Sequence, residues 1–333
     1  MSRKTRASVS SVADVVGFGV TADHKRVEVV GVDILVDEHA DRALAGAVRD
    51  AFLPEQGTAH VSVALLGSVP SSPVSAPDLA IIIGGGSDEA VRAAASTYAR
   101  MSVPVAVLAT SALDAPVPTD EAAIRYVKAI VATEPAVVIE QLAEWAVSAT
   151  KKATALAASF PFCRRARVSE LTGKCSAQNA TVGIMSALGR GGKNADFVVM
   201  TANQAKLALD ISAAYGRELS PQRAFELATV VLTGLGCRAL ARTAAHTLPN
   251  LGMVVNAGIA YGGTTVMAMG IADHYERQDA GEAPFPLVRG LFSTVADGIS
   301  SASSAIAQRS ARRTVASDGM IIPVNASDLQ AGA

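Results

Sequence analysis

The residues with the clearest chemical potential are Gly84, Gly85, Gly86 and Ser87, in the run LAIIIGGGSDEAVRAAA from Leu79 to Ala95. An apolar run, three glycines, a serine and an alanine-rich stretch spell strand, tight turn and helix. Such a helix start offers unpaired backbone N–H groups and a positive field, which together hold phosphate. Here, however, Ser87 reads as the N-cap, and Asp88 and Glu89 follow it in the first turn. Acids there already satisfy the helix dipole and repel a phosphate. The glycines are therefore expected to serve a sharp turn and close strand–helix packing. Gly84–Ser87 stay candidates for a nucleotide or small molecule at the open strand ends.

Other phosphate signatures are missing. GxxxxGK[ST] is absent from residues 1–150. VPVAVLATSALD sits where a GTPase of this layout carries NKxD, but Thr110, Ser111, Ala112 and Leu113 stand there. Asp114 alone does not establish base recognition. ALGRGGKN contains Gly192-Lys193, yet Ala187 replaces the first P-loop glycine and Asn194 the magnesium-binding hydroxyl. It follows a helix pattern and reads as a basic inter-helix loop.

A second polar constellation lies later. Asp196, Asn203, Lys206 and Asp210 fall near one helix face, and Arg238 and Arg242 form an i,i+4 pair on a later helix. A carboxylate–guanidinium network between these helices would fix their register. No nucleophile–base pair accompanies it, so no catalytic residue is assigned. Cys163, Cys175 and Cys237 show neither CxxC nor a His/Cys ligand spacing, so neither a metal nor a disulfide framework is expected. No cofactor is assigned either.

The elements that must position these residues change type along the chain. Residues 27–134 alternate β-rich runs (VEVVGVDILV, HVSVALL, LAIII, VPVAVLA) with helical ones, which implies crossover units and a mostly parallel sheet. Asp37 reads as the N-cap of the first of those helices. After Glu134 the β pattern nearly stops. PAVVIEQLAEWAVSATKKATALAASF reads as one long amphipathic helix, followed by helical candidates at 177–188, 195–215, 220–246, 251–276 and 285–313. The expected organisation is a flexible basic leader at 1–26, an α/β domain at 27–134, a helical domain at 135–316 and an irregular tail at 317–333. The fold class is α/β plus all-α: a small parallel sheet with flanking helices, then a helical bundle with a hairpin that could associate with a membrane.

Composition bears on partners. Half of the 333 residues are hydrophobic, 18% are charged, the net charge is -1 and the mean hydropathy is +0.32. No global field favours nucleic acid. The basic start lacks a sustained apolar region and does not read as a secretory signal. Leu251–Ala272 holds no charge and approaches the roughly 20 residues of a bilayer span. Gly258 and Gly262 within it form a GxxxG pair suited to close helix contact. Against a span stand Asn256, Thr264, Thr265 and many small residues, so a buried helix of a soluble bundle is the competing reading. Lys151, Lys152, Arg164, Arg165 and Arg167 open a basic cluster that could meet an anionic membrane surface or an acidic partner. No aromatics interleave with it, which argues against nucleic acid.

NADFVVMTANQAKLALDISAAYGRELSPQRAFELATVVLTGLGCRALART, followed by LPNLGMVVNAGIAYGGTTVMAMGIADHY, resembles the bacterial domain of unknown function 697 family. That family comprises helical domains that accompany Era-like GTPases and occur in YcjF-type inner-membrane proteins. The similarity covers roughly 155–276. It rests on Asn203-Gln204, the AAYG at 213–216, ELA at 226–228, RALAR at 238–242 and the glycine-rich helix after Pro249. The resemblance implies that the first half is a degenerate GTPase-like domain and that a GTPase is among the partners. It carries over no catalytic residues. The reading is a non-catalytic, cytoplasm-facing scaffold or regulator, on the membrane's inner side or free of it; the alternative is a nucleotide- or small-molecule-binding regulator.

Overall fold

A computed structural model describes residues 17–68, 76–187, 195–218 and 252–281. Five strands form one parallel sheet: β1 (Val30–Val36), β2 (Ala59–Leu65), β3 (Leu79–Ile83), β4 (Val105–Ala109) and β5 (Val127–Val131). Their order is β2-β1-β3-β4-β5, and every neighbouring pair is parallel. Helices α1 (Arg42–Ala51), α2 (Asp88–Arg100), α3 (Glu121–Ile124) and α4 (Pro135–Ala149) flank it. The chain continues as α5 (Ala153–Ser159), α6 (Arg164–Ala187), α7 (Ala195–Ala214) and α8 (Gly252–Asp279).

β3 and β4 are buried at every position, so both faces of the sheet need cover. Strand alternation divides the load. Val32, Ile34, Ile81, Ile83, Ala106 and Leu108 meet Leu44 and Val48 of α1 and Val138, Leu142 and Ala146 of α4. Leu35, Ala80, Ile82, Val105 and Val107 meet Val91, Ala95 and Tyr98 of α2. The boundary expected at 134/135 thus falls between β5 and a helix that shares the sheet's core.

The run expected as one long helix is two. Thr150 is extended at φ -103, ψ 146, and its hydroxyl accepts from the Lys152 N–H at 3.1 Å. That bond diverts a backbone donor from the helix ladder. The break lets α5 turn into the core, where all seven of its residues are buried. Phe160 follows, fully buried, and meets the Phe52 ring edge-on at 5.1 Å. Phe52 also packs edge-on against Phe162 at 4.9 Å.

Beyond this point α6, α7 and α8 pack on one another through Val168, Leu171, Cys175, Leu207, Ile211, Met267 and Ile271. Helix α6 begins well before the predicted 177, and α7 lies close to its expected span. The leader is corrected in part. Residues 17–26 are helical, and Phe18 and Ala22, one turn apart, pack into this same cluster. Residues 1–16, the candidates at 220–246 and 285–313, the turn at Pro249-Asn250 and the tail lie outside the described residues. Among the described residues, no helix is long and apolar enough to cross a membrane.

The aromatic contact predicts a measurable cost. Phe160→Ala should destabilise the chain by about 3–5 kcal/mol, the usual range for a fully buried phenylalanine. Urea unfolding at pH 7 would read it as a lower midpoint with an unchanged slope. An unchanged midpoint would mean that α5 is not seated against the sheet.

Candidate functional site

The strand order 2-1-3-4-5 reverses direction between β1 and β3. In doubly wound sheets, ligands bind in the crevice beyond the carboxyl ends of the strands at that reversal. The two loops that meet there are 37–41, after β1, and 84–87, after β3. The glycine turn therefore stands at the position where this architecture holds a ligand.

The crevice is closed by the chain itself. The Asp37 N–H donates to the Ile83 carbonyl at 2.9 Å, which extends the strand pairing by one residue. Its carboxylate, 1% exposed, then reaches across to the start of α2. Oδ2 accepts from the Ser87 N–H at 3.0 Å. Oδ1 accepts from the Ser87 hydroxyl at 3.2 Å and from the His39 N–H at 3.0 Å. The protein thus supplies its own anion to the helix start. Burial alone would raise the Asp37 pKa. The hydrogen bonds from His39 and Ser87, helped by the adjacent His39 ring, outweigh it and hold the carboxyl below its ordinary value.

Each glycine has a separate reason. A Cβ on Gly85 would lie 2.3 Å from the Ala40 nitrogen, because the loop after β1 rests on it. A Cβ on Gly84 would lie 1.9 Å from the Asp114 carbonyl oxygen, in the loop after β4. Gly86 has φ +114, a conformation that other residues rarely adopt. Two loops close on the turn, and only glycine admits them. The depression beside it is lined by Ser87, Asp88, Glu89, Ala90 and Ala93.

Two capping expectations change. Ser87 stands at the N-cap of α2, but its side chain makes no capping bond and donates to Asp37 instead. Asp37 does not cap α1. Asp41 does, accepting from the Leu44 N–H at 2.8 Å. The role of Asp37 across the crevice was missed. Its one sequence signal is an acid directly after an apolar strand.

Asp37, Ser87 and His39 contain the residue types of a hydrolytic triad in an unsuitable arrangement. The carboxylate sits in the middle, with Ser87 on one side and the His39 Nδ1 3.6 Å away on the other. A nucleophilic serine needs the histidine between it and the acid. A carboxyl held below its ordinary pKa is also a poor base for a hydroxyl.

Part of the later polar line lies among the described residues. Lys206 Nζ donates to Asp210 Oδ2 at 2.6 Å, and Asp210 is buried. Asn203 Nδ2 donates to Asn179 Oδ1 at 3.0 Å, and Asn179 Nδ2 donates to Thr264 Oγ1 at 2.9 Å. This ladder joins α6, α7 and α8 through neutral groups. Arg238, Arg242 and the Asp196 side chain lie outside the described residues. Among the described residues, nothing lies within 4 Å of a Cβ at Gly258 or Gly262. The contact face of α8 runs through Ala260, Thr264, Met267, Ala268, Ile271 and Tyr275.

Among the described residues, most cations of the basic cluster pair with groups of the same chain. Lys152 Nζ donates to Asp78 Oδ2 at 2.9 Å and to the Val29 carbonyl at 2.7 Å. Arg164 is buried and bridges Glu55, before β2, to Asp279, at the end of α8. Arg165 forks onto Glu276 at 3.0 and 2.9 Å, and that carboxylate also accepts from the Tyr215 hydroxyl at 3.2 Å. Arg167 pairs with Glu170 at 2.6 Å and with the Thr154 hydroxyl at 2.9 Å. Lys151 remains exposed.

No family model matches the chain, and neither the curated proteins nor the solved structures include a match to it.

The Asp37 bridge predicts a pH-dependent loss. Its folded pKa is lowered, so its stabilisation is present above the ordinary aspartate value near 4 and fades as pH falls through the folded value. Asp37→Asn should cost about 1–3 kcal/mol at pH 7, the usual price of leaving buried donors poorly paired. Urea midpoints of the two proteins should converge below about pH 4. A gap that is the same at every pH would show that the charge contributes nothing.

Proposed function

We propose that this chain is a non-catalytic scaffold or regulatory protein, cytoplasm-facing, that works through protein contacts. In this reading the α/β part is a GTPase-like or flavodoxin-like shell without a phosphate loop, and α6 to α8 belong to a helical bundle of the GTPase-associated kind. The observation that carries the reading is the Asp37 carboxylate at the start of α2. A phosphate there would meet a buried negative charge, with Asp88 and Glu89 beside it. The packing of α6, α7 and α8 around one apolar cluster supports the second half of the reading. The buried free thiols of Cys163 and Cys175 are in keeping with a reducing compartment.

The membrane-facing version has less support. Lys152, Arg164, Arg165 and Arg167 are engaged with acids of the same chain, so they offer an anionic surface little free charge. A GTPase or another protein is the partner class that the resemblance over 155–276 implies. A small-molecule site near Gly84–Ser87 is the second reading, favoured by its place at the strand reversal.

Calorimetry with GTP and magnesium separates these readings. The chain should give no binding heat with GTP, ATP or inorganic phosphate, each up to millimolar concentration. Micromolar affinity for any of them would overturn the scaffold reading. A thermal shift with an uncharged metabolite, abolished by Gly85→Ala, would favour the small-molecule site.

A further inference from the structure

Residues 38–40 pass from β1 to α1 across the glycine turn. The two ends of this segment are pinned in different elements. The Asp37 N–H donates to the Ile83 carbonyl of β3 at 2.9 Å, and Asp41 caps α1 by accepting from the Leu44 N–H at 2.8 Å. Between these pins the Glu38 and His39 side chains are 77% and 67% exposed. The Ala40 N–H turns back to the Asp37 carbonyl at 3.0 Å, and its methyl is partly buried against the core. The backbone of His39 and Ala40 rests on Gly85, where a Cβ would clash with it. Among the described residues, the hydrogen bonds that tie this segment to the turn at 84–87 converge on one group, the Asp37 carboxylate. Oδ2 accepts from the Ser87 N–H, and Oδ1 accepts from the Ser87 hydroxyl and, within the segment, from the His39 N–H.

We propose that residues 38–40 are a strap latched by the Asp37 carboxylate, and that releasing the latch opens the crevice at the β1/β3 reversal. The strap regulates access to the small-molecule site near Gly84–Ser87, and its use rests on that second reading. In the closed state the His39 and Ala40 backbone covers Gly85, and the Ser87 N–H is engaged. In the open state Gly85 and that N–H face a ligand. The backbone bond from residue 37 to Ile83 stays in place, so the sheet itself is unchanged. Asp88 and Glu89 in the first turn of α2 favour an uncharged occupant that offers the Ser87 N–H an acceptor, such as a carbonyl or hydroxyl oxygen. A ligand that binds the open form alone is weakened by the fraction of chains that are latched. A change at Asp37 therefore shifts affinity while Gly84, Gly85 and Gly86 stay as they are.

The experiment is residue-resolved amide exchange of the full chain at pH 7, in low urea. A strap that opens on its own exposes the His39, Ala40 and Ser87 amides together with little new surface. Their exchange should follow one common opening that low urea leaves unchanged. The Gly84 amide, bonded to the Leu108 carbonyl within the sheet, should speed up with urea instead. Asp37→Asn should raise the Ala40 rate about tenfold, the weight of one buried hydrogen bond to a charged group, still without urea dependence. Ala40 is the reporter because its acceptor, the carbonyl of residue 37, survives the substitution. If Asp37→Asn does not fold, Gly85→Ala takes its place. Its Cβ would lie 2.3 Å from the Ala40 nitrogen and lift the strap with Asp37 intact, and the same acceleration is expected. Ala40 and Ser87 amides that exchange with the urea-dependent rate of Gly84 in every variant would overturn the latch and make the bridge a fixed part of the fold. A thermal-shift screen with uncharged nucleosides and sugars tests the second reading separately. Urea-independent Ala40 exchange without any shift upholds the latch and rejects the ligand reading. A shift with strap amides as slow as Gly84 rejects the latch and upholds that reading.

Discussion

β3 and β4 have no exposed side chain, and most of the architecture follows from hiding them. Two neighbouring strands of five residues each, all Leu, Ala, Ile or Val, cannot face water on either side. One side is met by α2, with Tyr98 anchored by a 2.9 Å hydrogen bond from its hydroxyl to Asp33. The other needs more than α1 can cover. That need draws α4 onto the sheet, turns the chain at Thr150 and seats α5 and Phe160 under Phe52. The helical half is thereby fixed to the sheet by a common core. The ion pairs at the junction sit on the rim of that core and orient what the core already holds. Arg164 is the deepest of them, between Glu55, Asp279 and the Tyr215 ring at 5.5 Å.

The same constraint closes the crevice. Parallel strands that run inward to the sheet's centre deliver their following loops to one end, where the turns after β1, β3 and β4 crowd together. Glycines at 84 and 85 let backbone rest directly on backbone. What is left is a helix start with unpaired N–H groups and a positive field. In a nucleotide-binding sheet a ligand phosphate answers that field. Here Asp37 answers it from within the chain, and the site that the topology creates is filled by the chain's own side chain.

Much of this was legible in the sequence, for stated reasons. Period-two and period-three-to-four runs separate the strands and helices of residues 27–134, and the first-turn acids Asp88 and Glu89 already argued against phosphate. What failed were inferences that depend on partners distant in sequence. Asp37 was read through its nearest neighbours, as a cap on the helix that follows it. Its partner is Ser87, 50 residues on. The long helix was read through its alanines and valines. A single hydroxyl at Thr150 outcompeted that pattern, because helix propensity amounts to only a few tenths of a kcal/mol per residue.

Net charge depends on distant partners in the same way. Residues 151–193 hold eight cations and one acid, which in a linear reading looks like a surface waiting for an anion. Folding brings acids from elsewhere: Glu55 from before β2, Asp78 from before β3, and Glu276 and Asp279 from the end of α8. A local excess of charge is a property of a segment, whereas an interaction surface is a property of what remains unpaired after folding. Lys152 reaches Asp78 before β3 and Arg164 reaches Glu55 before β2, so these two cations orient the helical half over the core that joins it to the sheet.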